Sequence, residues 1–295
     1  MKIIDVHTHG IGGYDTRTLE EKDILAIAAT HGSLGVAEIV LAIYPAAIKV
    51  MRKHMDAVRK AMELQKAAGA ERRASRAGSR GPSKIIGVHL EGPFLNPVHC
   101  GALDVTTFLE PEEYHIEKLI DGFEDIIKII TIAPELKGAT GAIRKIVDKG
   151  IIPSMGHSAA TYSEAENGFN AGARGITHIF NAMRSFHHRE PGIAGFGLLN
   201  QEVYIEVIAD PFHLHRATID LILKVKNPSR IIIISDSVSG SKMPGSGQGV
   251  TAGSGRLAGG SMTIIESARQ LVEIGFEKNA IMKCVTVNPK RYLSN

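Results

Sequence analysis

Eight apolar, β-branched runs recur along the 295-residue chain, and the stretches between them carry a different pattern. They fall at residues 3–9, 36–43, 85–91, 127–133, 151–155, 175–178, 203–209 and 231–236. Most are continuously apolar rather than alternating, as in a parallel sheet covered on both faces. Helical patterns lie between them at 19–31, about 46–68, 111–121, 138–149, 162–173 and 217–226, with a last one at 266–275. Eight strands alternating with helices predict an α/β fold of the (β/α)8, TIM-like barrel type rather than an open doubly wound sheet. No Gly-x-Gly-x-x-Gly follows the first run, which argues further against a dinucleotide-binding sheet. With 44% hydrophobic residues the chain can bury a large core, and one barrel domain over 1–295 is expected.

Charge and cysteine content narrow the partners. The net charge of +3 is local, because residues 52–84 carry ten Lys/Arg against three Asp/Glu. The chain is therefore not a general nucleic-acid binder. The Arg-, Ser- and Gly-rich stretch at 72–84 reads as a solvated loop at the barrel end away from the chemistry. No apolar run is long enough to span a bilayer and no signal peptide precedes the first strand, so no membrane partner is expected. Two distant cysteines, Cys100 and Cys284, fit a reducing compartment. A cytoplasmic enzyme is the expectation.

Barrel active sites assemble at the carboxyl ends of the strands. Strand one ends Asp5-Val6-His7-Thr8-His9, which places His7 and His9 on one face about 7 Å apart. Alone, such a pair says little. Strand three, however, ends at Glu91, strand five at His157, strand six at His178 and strand eight at Asp236. Five strand ends thus offer nitrogen or oxygen donors at one rim. Buried ionisable groups are costly unless paired or metal-bound, so a metal centre is expected. A divalent ion makes water a nucleophile near neutral pH.

The motifs His-Leu-Glu-Gly-Pro-Phe (89–94), Gly-His-Ser (156–158), Thr-His-Ile-Phe-Asn-Ala-Met (177–183), Arg-Glu-Pro-Gly (189–192), Ile-Ala-Asp-Pro-Phe-His (208–213) and Ser-Asp (235–236) occur in order. Leu-Ala-Gly-Gly-Ser (257–261) and Asn-Pro (288–289) follow. Together they resemble the N-acetylglucosamine-6-phosphate deacetylase family of the amidohydrolase superfamily, over nearly the whole chain. The resemblance implies that Glu91, His157 and His178 hold a principal metal, and that His7 and His9 serve a second one that only some members carry. It implies that Asp236 is the catalytic aspartate. It further implies substrate contacts at Asn181, the backbone of Ala182, and His213, with Arg189 clamping phosphate across a homodimer interface. One or two divalent ions are expected, with Zn, Fe, Mn and Co all compatible with such donors.

Three features depart from the family pattern. Leu103 stands where a sugar-contacting histidine is usual, and leucine donates no hydrogen bond; His99 and Cys100 share its loop. The family's small β-sandwich is not evident, so a barrel-only member is expected. His187 and His188 add imidazoles without an assigned role. The Gly-rich stretch at 240–260 lacks the Lys-Ser/Thr of a Walker loop and reads as a β-hairpin excursion returning at Leu257. The expected function is metal-dependent removal of acetyl from an N-acetyl amino sugar, with N-acetylglucosamine 6-phosphate as the substrate in view. The alternatives are a different N-acyl substrate and a catalytically weak, metal-containing barrel that binds sugar phosphate.

Overall fold

A computed structural model describes residues 2–72, 81–242, 249–253 and 255–294. Residues 73–80 of the basic stretch read at 72–84, and residues 243–248 and 254 of the excursion read at 240–260, lie outside those residues. Eight parallel strands follow one another in chain order: β1 (Ile4–Thr8), β2 (Glu38–Ile43), β3 (Lys84–Glu91), β4 (Ile127–Ile132), β5 (Ile152–Met155), β6 (Gly175–Ile176), β7 (Tyr204–Ile208) and β8 (Ile231–Ile234). The ring closes between its first and last strands. The Asp236 amide donates to His7 O at 2.9 Å, and the His9 amide donates to Ser237 O at 2.7 Å. The predicted (β/α)8 barrel is therefore the observed fold.

Helices α1 (Glu21–Ser33), α2 (Ile48–Arg72), α3 (Glu113–Ile120), α4 (Ala139–Asp148), α5 (Tyr162–Ala171), α6 (Gly192–Leu199), α7 (Arg216–Val225) and α8 (Ile264–Glu273) cover the barrel. Two short helices, α9 (Lys278–Cys284) and α10 (Val287–Tyr292), follow. Local chemistry sets several starts. Thr161 with Glu164, and Thr263 with Glu266, form capping boxes at α5 and α8. Among the described residues, no helix is long and apolar enough to cross a membrane.

Helix α6 does not show in the sequence pattern. It reads Gly-Ile-Ala-Gly-Phe-Gly-Leu-Leu and is buried over all but its last residue, so no polar face marks a helical period. Its glycines reflect close packing: a Cβ on Gly197 would lie 2.7 Å from Ile176 Cδ1.

Two apolar cores result. The larger lies between helices and sheet, and includes Ile24, Ile39, Leu41, Ile130, Phe196 and Ile233. A smaller one gathers Ile4, Val6, Val40, Ile129, Tyr204, Ile232 and Tyr292, a set drawn from inward strand positions and α10. β1 reaches both this core and the site by a bulge. Asp5 pairs with Ile39 and Thr8 with Leu41, so Val6 and His7 together oppose Val40. The strand therefore turns Val6 into the interior core and His7 into the chemistry above it.

Near the rim, buried Thr8 Oγ1 lies 3.1 Å from His31 Nε2 on α1 and 2.7 Å from Ser237 Oγ. Burial pushes the His31 imidazole down to about 4. An unfolded histidine binds its proton near pH 6.5, so this contribution is intact above pH 6.5 and is lost as pH falls toward 4. Its full size is on the order of 3 kcal/mol. In urea titrations from pH 7 to 4, His31→Gln is expected to lose less stability than the parent; parallel curves would show that His31 does not couple folding to pH.

Candidate metal centre

The predicted strand-end residues converge. Glu91, at the end of β3, is the hub: its Oε1 lies 3.1 Å from His157 Nε2 and 3.0 Å from His178 Nε2, and its Oε2 lies 3.1 Å from His9 Nε2. His7 Nε2 lies 3.3 Å from His9 Nε2, 3.4 Å from Asp236 Oδ1 and 3.6 Å from Glu91 Oε1. Two triads able to hold a metal share this rim, Glu91/His157/His178 and His7/His9/Asp236. All six side chains are buried. All but His7 open onto a cavity of about 330 Å³ that is also lined by Asn181, Ala182 and His213. A larger open groove of about 790 Å³ lies against α2 and α3 outside the barrel, and none of the strand-end residues lines it.

Electrostatics at the rim follow from dehydration. Burial pushes the His7 and His178 imidazoles below their ordinary range, so both are neutral. Burial alone would raise Glu91, but the imidazoles of His157, His178 and His9 at 3.0–3.1 Å outweigh it and hold the carboxyl well below the usual range, so that it is ionised. Asp236 is pushed the other way, first by burial and then by the Glu91, Glu206 and Asp5 carboxylates. His157 Nδ1 lies 2.9 Å from His99 O, so a proton held there frees Nε2, which faces Glu91 and His178, to offer a lone pair to a cation. Electron-rich atoms aimed at one another across about 3 Å repel unless a cation lies among them. The donor set therefore fits one or two divalent ions, and its nitrogen and carboxylate atoms suit Zn, Fe, Mn or Co.

Backbone geometry aims these groups. His157, His178, Ala182 and Asp236 all adopt positive φ, at 47°, 32°, 50° and 47°. Each turns sharply out of its strand or loop, so that the side chain or amide meets the cavity.

Other predicted residues fall into two groups. Leu103 lines the cavity, as do Asn181, Ala182 and His213. His213 is fixed by Asp210, whose Oδ1 lies 2.9 Å from His213 Nδ1 and whose Oδ2 accepts the Ser261 amide at 3.0 Å. Arg189, His187 and His188 are exposed and do not line the cavity of their own chain. Glu190 beside Arg189 instead accepts the Tyr162 and Gly192 amides, tying α5 to α6.

Sequence reasoning missed Glu135 and Arg256. Glu135 accepts from the Ser158 hydroxyl at 2.7 Å, the Ala159 amide at 2.6 Å and Asn96 Nδ2 at 2.9 Å, and so holds the loop after His157. Arg256 belongs to the hairpin in which Val250–Thr251 pairs with Leu257–Gly259, the excursion expected at this place. Its Nη1 donates to Gly101 O at 2.9 Å, bridging the hairpin to the Leu103 loop at the cavity wall. Neither residue sits at a strand end, and neither belongs to the motifs quoted above.

No protein-family model matches the chain. It is 30% identical to the N-acetylgalactosamine-6-phosphate deacetylase of Escherichia coli O157:H7, over 98% of this chain and 76% of that protein. It is 31% identical to the N-acetylglucosamine-6-phosphate deacetylase of Vibrio furnissii, over 91% of this chain and 67% of that protein. A solved mutant of N-acetyl-D-glucosamine-6-phosphate deacetylase from Mycobacterium smegmatis, in complex with N-acetyl-D-glucosamine-6-phosphate, superposes with a TM-score of 0.87 at 27% identity. That match covers 99% of this chain and 77% of the other.

The Glu135 contacts give a direct test of what holds the His157 loop. Glu135→Ala leaves a hydroxyl and an amide without their acceptor, and is expected to lower stability by about 2 kcal/mol in denaturant titration. An unchanged midpoint would remove Glu135 from the scaffold of the site.

Proposed function

Because the chain belongs to the N-acetylglucosamine-6-phosphate deacetylase family, we propose that it hydrolyses the acetamide of an N-acetyl amino sugar 6-phosphate, releasing acetate and the free amine. One observation carries this reading: six buried ionisable side chains from five strand ends meet at one rim that faces a cavity of about 330 Å³. Glu91, His157 and His178 would hold the principal ion, and His7 and His9 would hold a second. A divalent ion at this rim lowers the pKa of water toward 7 and polarises the acetamide carbonyl.

The chain's own groups perform the remaining work. Asp236, facing the cavity beside His7 and His9, takes a proton from the attacking water as the new C–O bond forms. It passes that proton to the amide nitrogen as the C–N bond breaks, so that nitrogen departs as an amine rather than an anion. This two-step proton transfer is the reason the reading favours an enzyme over a sugar-phosphate binder, which has no need of Asp236.

Asn181, the Ala182 amide and His213 line the same cavity and supply donors for phosphate and hydroxyl oxygens. Arg189, exposed and outside its own chain's cavity, fits a phosphate contact in the pocket of a second copy, which makes the working unit a homodimer. Leu103 offers the sugar no hydrogen bond, whereas Arg256 adds a cation at the same wall. This exchange favours a second reading within the same chemistry, a sugar of different configuration or a different N-acyl group. The galactosamine relative gives that reading a concrete form.

Acetate release from N-acetylglucosamine 6-phosphate, N-acetylgalactosamine 6-phosphate and their unphosphorylated forms discriminates among these readings. Turnover is expected for a 6-phosphate and is expected to disappear with a chelator; metal-loaded protein that releases acetate from none of them would sink the proposal. Asp236→Asn is expected to keep its metal content while kcat falls by about 100- to 10,000-fold. Full activity in that variant would take the proton transfer away from Asp236.

A further inference from the structure

Beneath the rim lies a carboxylate that the proposed chemistry does not use. Glu206 sits in the middle of β7, inside the run Tyr204–Ile208, and is 1% exposed. It is an ionisable residue in the centre of a buried strand, where carboxyl groups are rare unless paired. Its Oε2 lies 3.2 Å from His7 Nδ1, while its Oε1 has no hydrogen-bond partner. His89 stands beside His7, with ring centroids 4.4 Å apart.

His7, His89 and Glu206 form a compact group that by composition also resembles a metal triad. The hydrogen bonds exclude that use. His89 Nδ1 is directed at Val6 O at 3.4 Å, and its Nε2 lies 2.7 Å from Thr131 Oγ1. The Thr131 hydroxyl is in turn 2.8 Å from that of Thr177, and Thr177 is 2.7 Å from Ser154 Oγ. Both His89 nitrogens are thus engaged in a polar layer that crosses the barrel. What remains is the pair Glu206–His7, with one imidazole nitrogen on the carboxylate and the other aimed at the rim.

We infer that Glu206 is a positioning residue that orients His7 as a ligand for the second divalent ion. An imidazole ligates through one nitrogen, and the group on the other nitrogen fixes its tautomer and rotation. Here Nδ1–H donates to the Glu206 carboxylate, and the lone pair on Nε2 points toward His9 Nε2 and Asp236 Oδ1. The bulge at Val6–His7 accompanies the turn of His7 toward β7, which only β8 separates from β1 in the closed ring. His157 is held in the parallel way by His99 O, so each of the two ion positions has one imidazole locked from behind. The locks differ in kind: a neutral carbonyl serves the first position and a carboxylate serves the second. Occupancy of the second position is then set by Glu206 as well as by the ligands themselves.

This inference rests on reading the rim as a two-ion site, and metal binding by the full chain separates the two claims. Metal-free protein is titrated with Zn²⁺ by calorimetry, and metal content is then measured after gel filtration. The parent chain is expected to take up two ions. Glu206→Leu is expected to weaken the second by about 100-fold, while the first is unchanged. Glu206→Gln keeps an oxygen acceptor without the charge and is expected to retain the second ion about 10-fold more weakly. A general disturbance of packing would weaken both ions, so the selective loss is the diagnostic result. If Glu206→Leu does not fold, the Gln variant decides. Second-ion affinity equal to the parent's in the variants that fold overturns the inference, as does a parent that binds one ion only. A parent that binds none overturns the reading of the rim itself.

Discussion

Everything at the rim depends on keeping the Glu91 carboxylate ionised in a place without water. Three imidazole nitrogens lie 3.0–3.1 Å from its two oxygens, and the residue is 3% exposed. Transfer of an uncompensated carboxylate into such surroundings costs several kcal/mol. The same dehydration keeps His7 and His178 neutral, which preserves the lone pairs that a cation requires. Dehydration is thus both the cost of the site and the source of its donor character. A divalent charge at this position offsets the carboxylates and reverses the local pressure on Asp236, which without it is driven toward the protonated form.

The barrel supplies the rigidity that this arrangement needs. Four positions at the rim, His157, His178, Ala182 and Asp236, hold a left-handed backbone outside glycine. Such conformations cost about 1–3 kcal/mol each and persist only where the surroundings over-determine them. The closed ring of eight strands does so, because the seam between β1 and β8 runs through the site. The His7 carbonyl and the His9 amide are themselves bonded across that seam, to the Asp236 amide and to Ser237 O. Placement of these rim donors and barrel closure are therefore one set of hydrogen bonds, and a slip at the seam would move His7, His9 and Asp236 together.

Much of this was legible in the sequence because strand ends are marked twice. An apolar run stops, and a His, Glu or Asp stands at the stop; with eight such runs, topology alone brings the stops to one rim. That logic reaches His7, His9, Glu91, His157, His178 and Asp236. It fails wherever a residue acts across the chain without such a mark. Helix α6 is apolar on every side and carries three glycines, so it has neither period nor propensity to display. Glu135 works by receiving an amide and a hydroxyl from a loop that only the folded ring brings near. Arg256 sits in a glycine-rich return whose sequence says hairpin but not what the hairpin faces.

Glu206 was legible in part, and its case shows what kind of anomaly to look for. In Val-Tyr-Ile-Glu-Val-Ile-Ala, one acid interrupts a strand that is otherwise wholly apolar. A strand buried on both faces has no solvent side to which that carboxylate can turn. It must meet a donor inside the barrel, and His89, Thr131, Thr177 and Ser154 are already joined to one another there. The chain thus pairs its one mid-strand acid on β7 with the first histidine of β1, two strands away round the closed ring. Ligands at a rim are recognisable by where strands stop, whereas the groups that aim them lie one layer down. In this chain the lower layer is the more informative of the two, because it distinguishes His7, held by a carboxylate, from His157, held by a main-chain carbonyl.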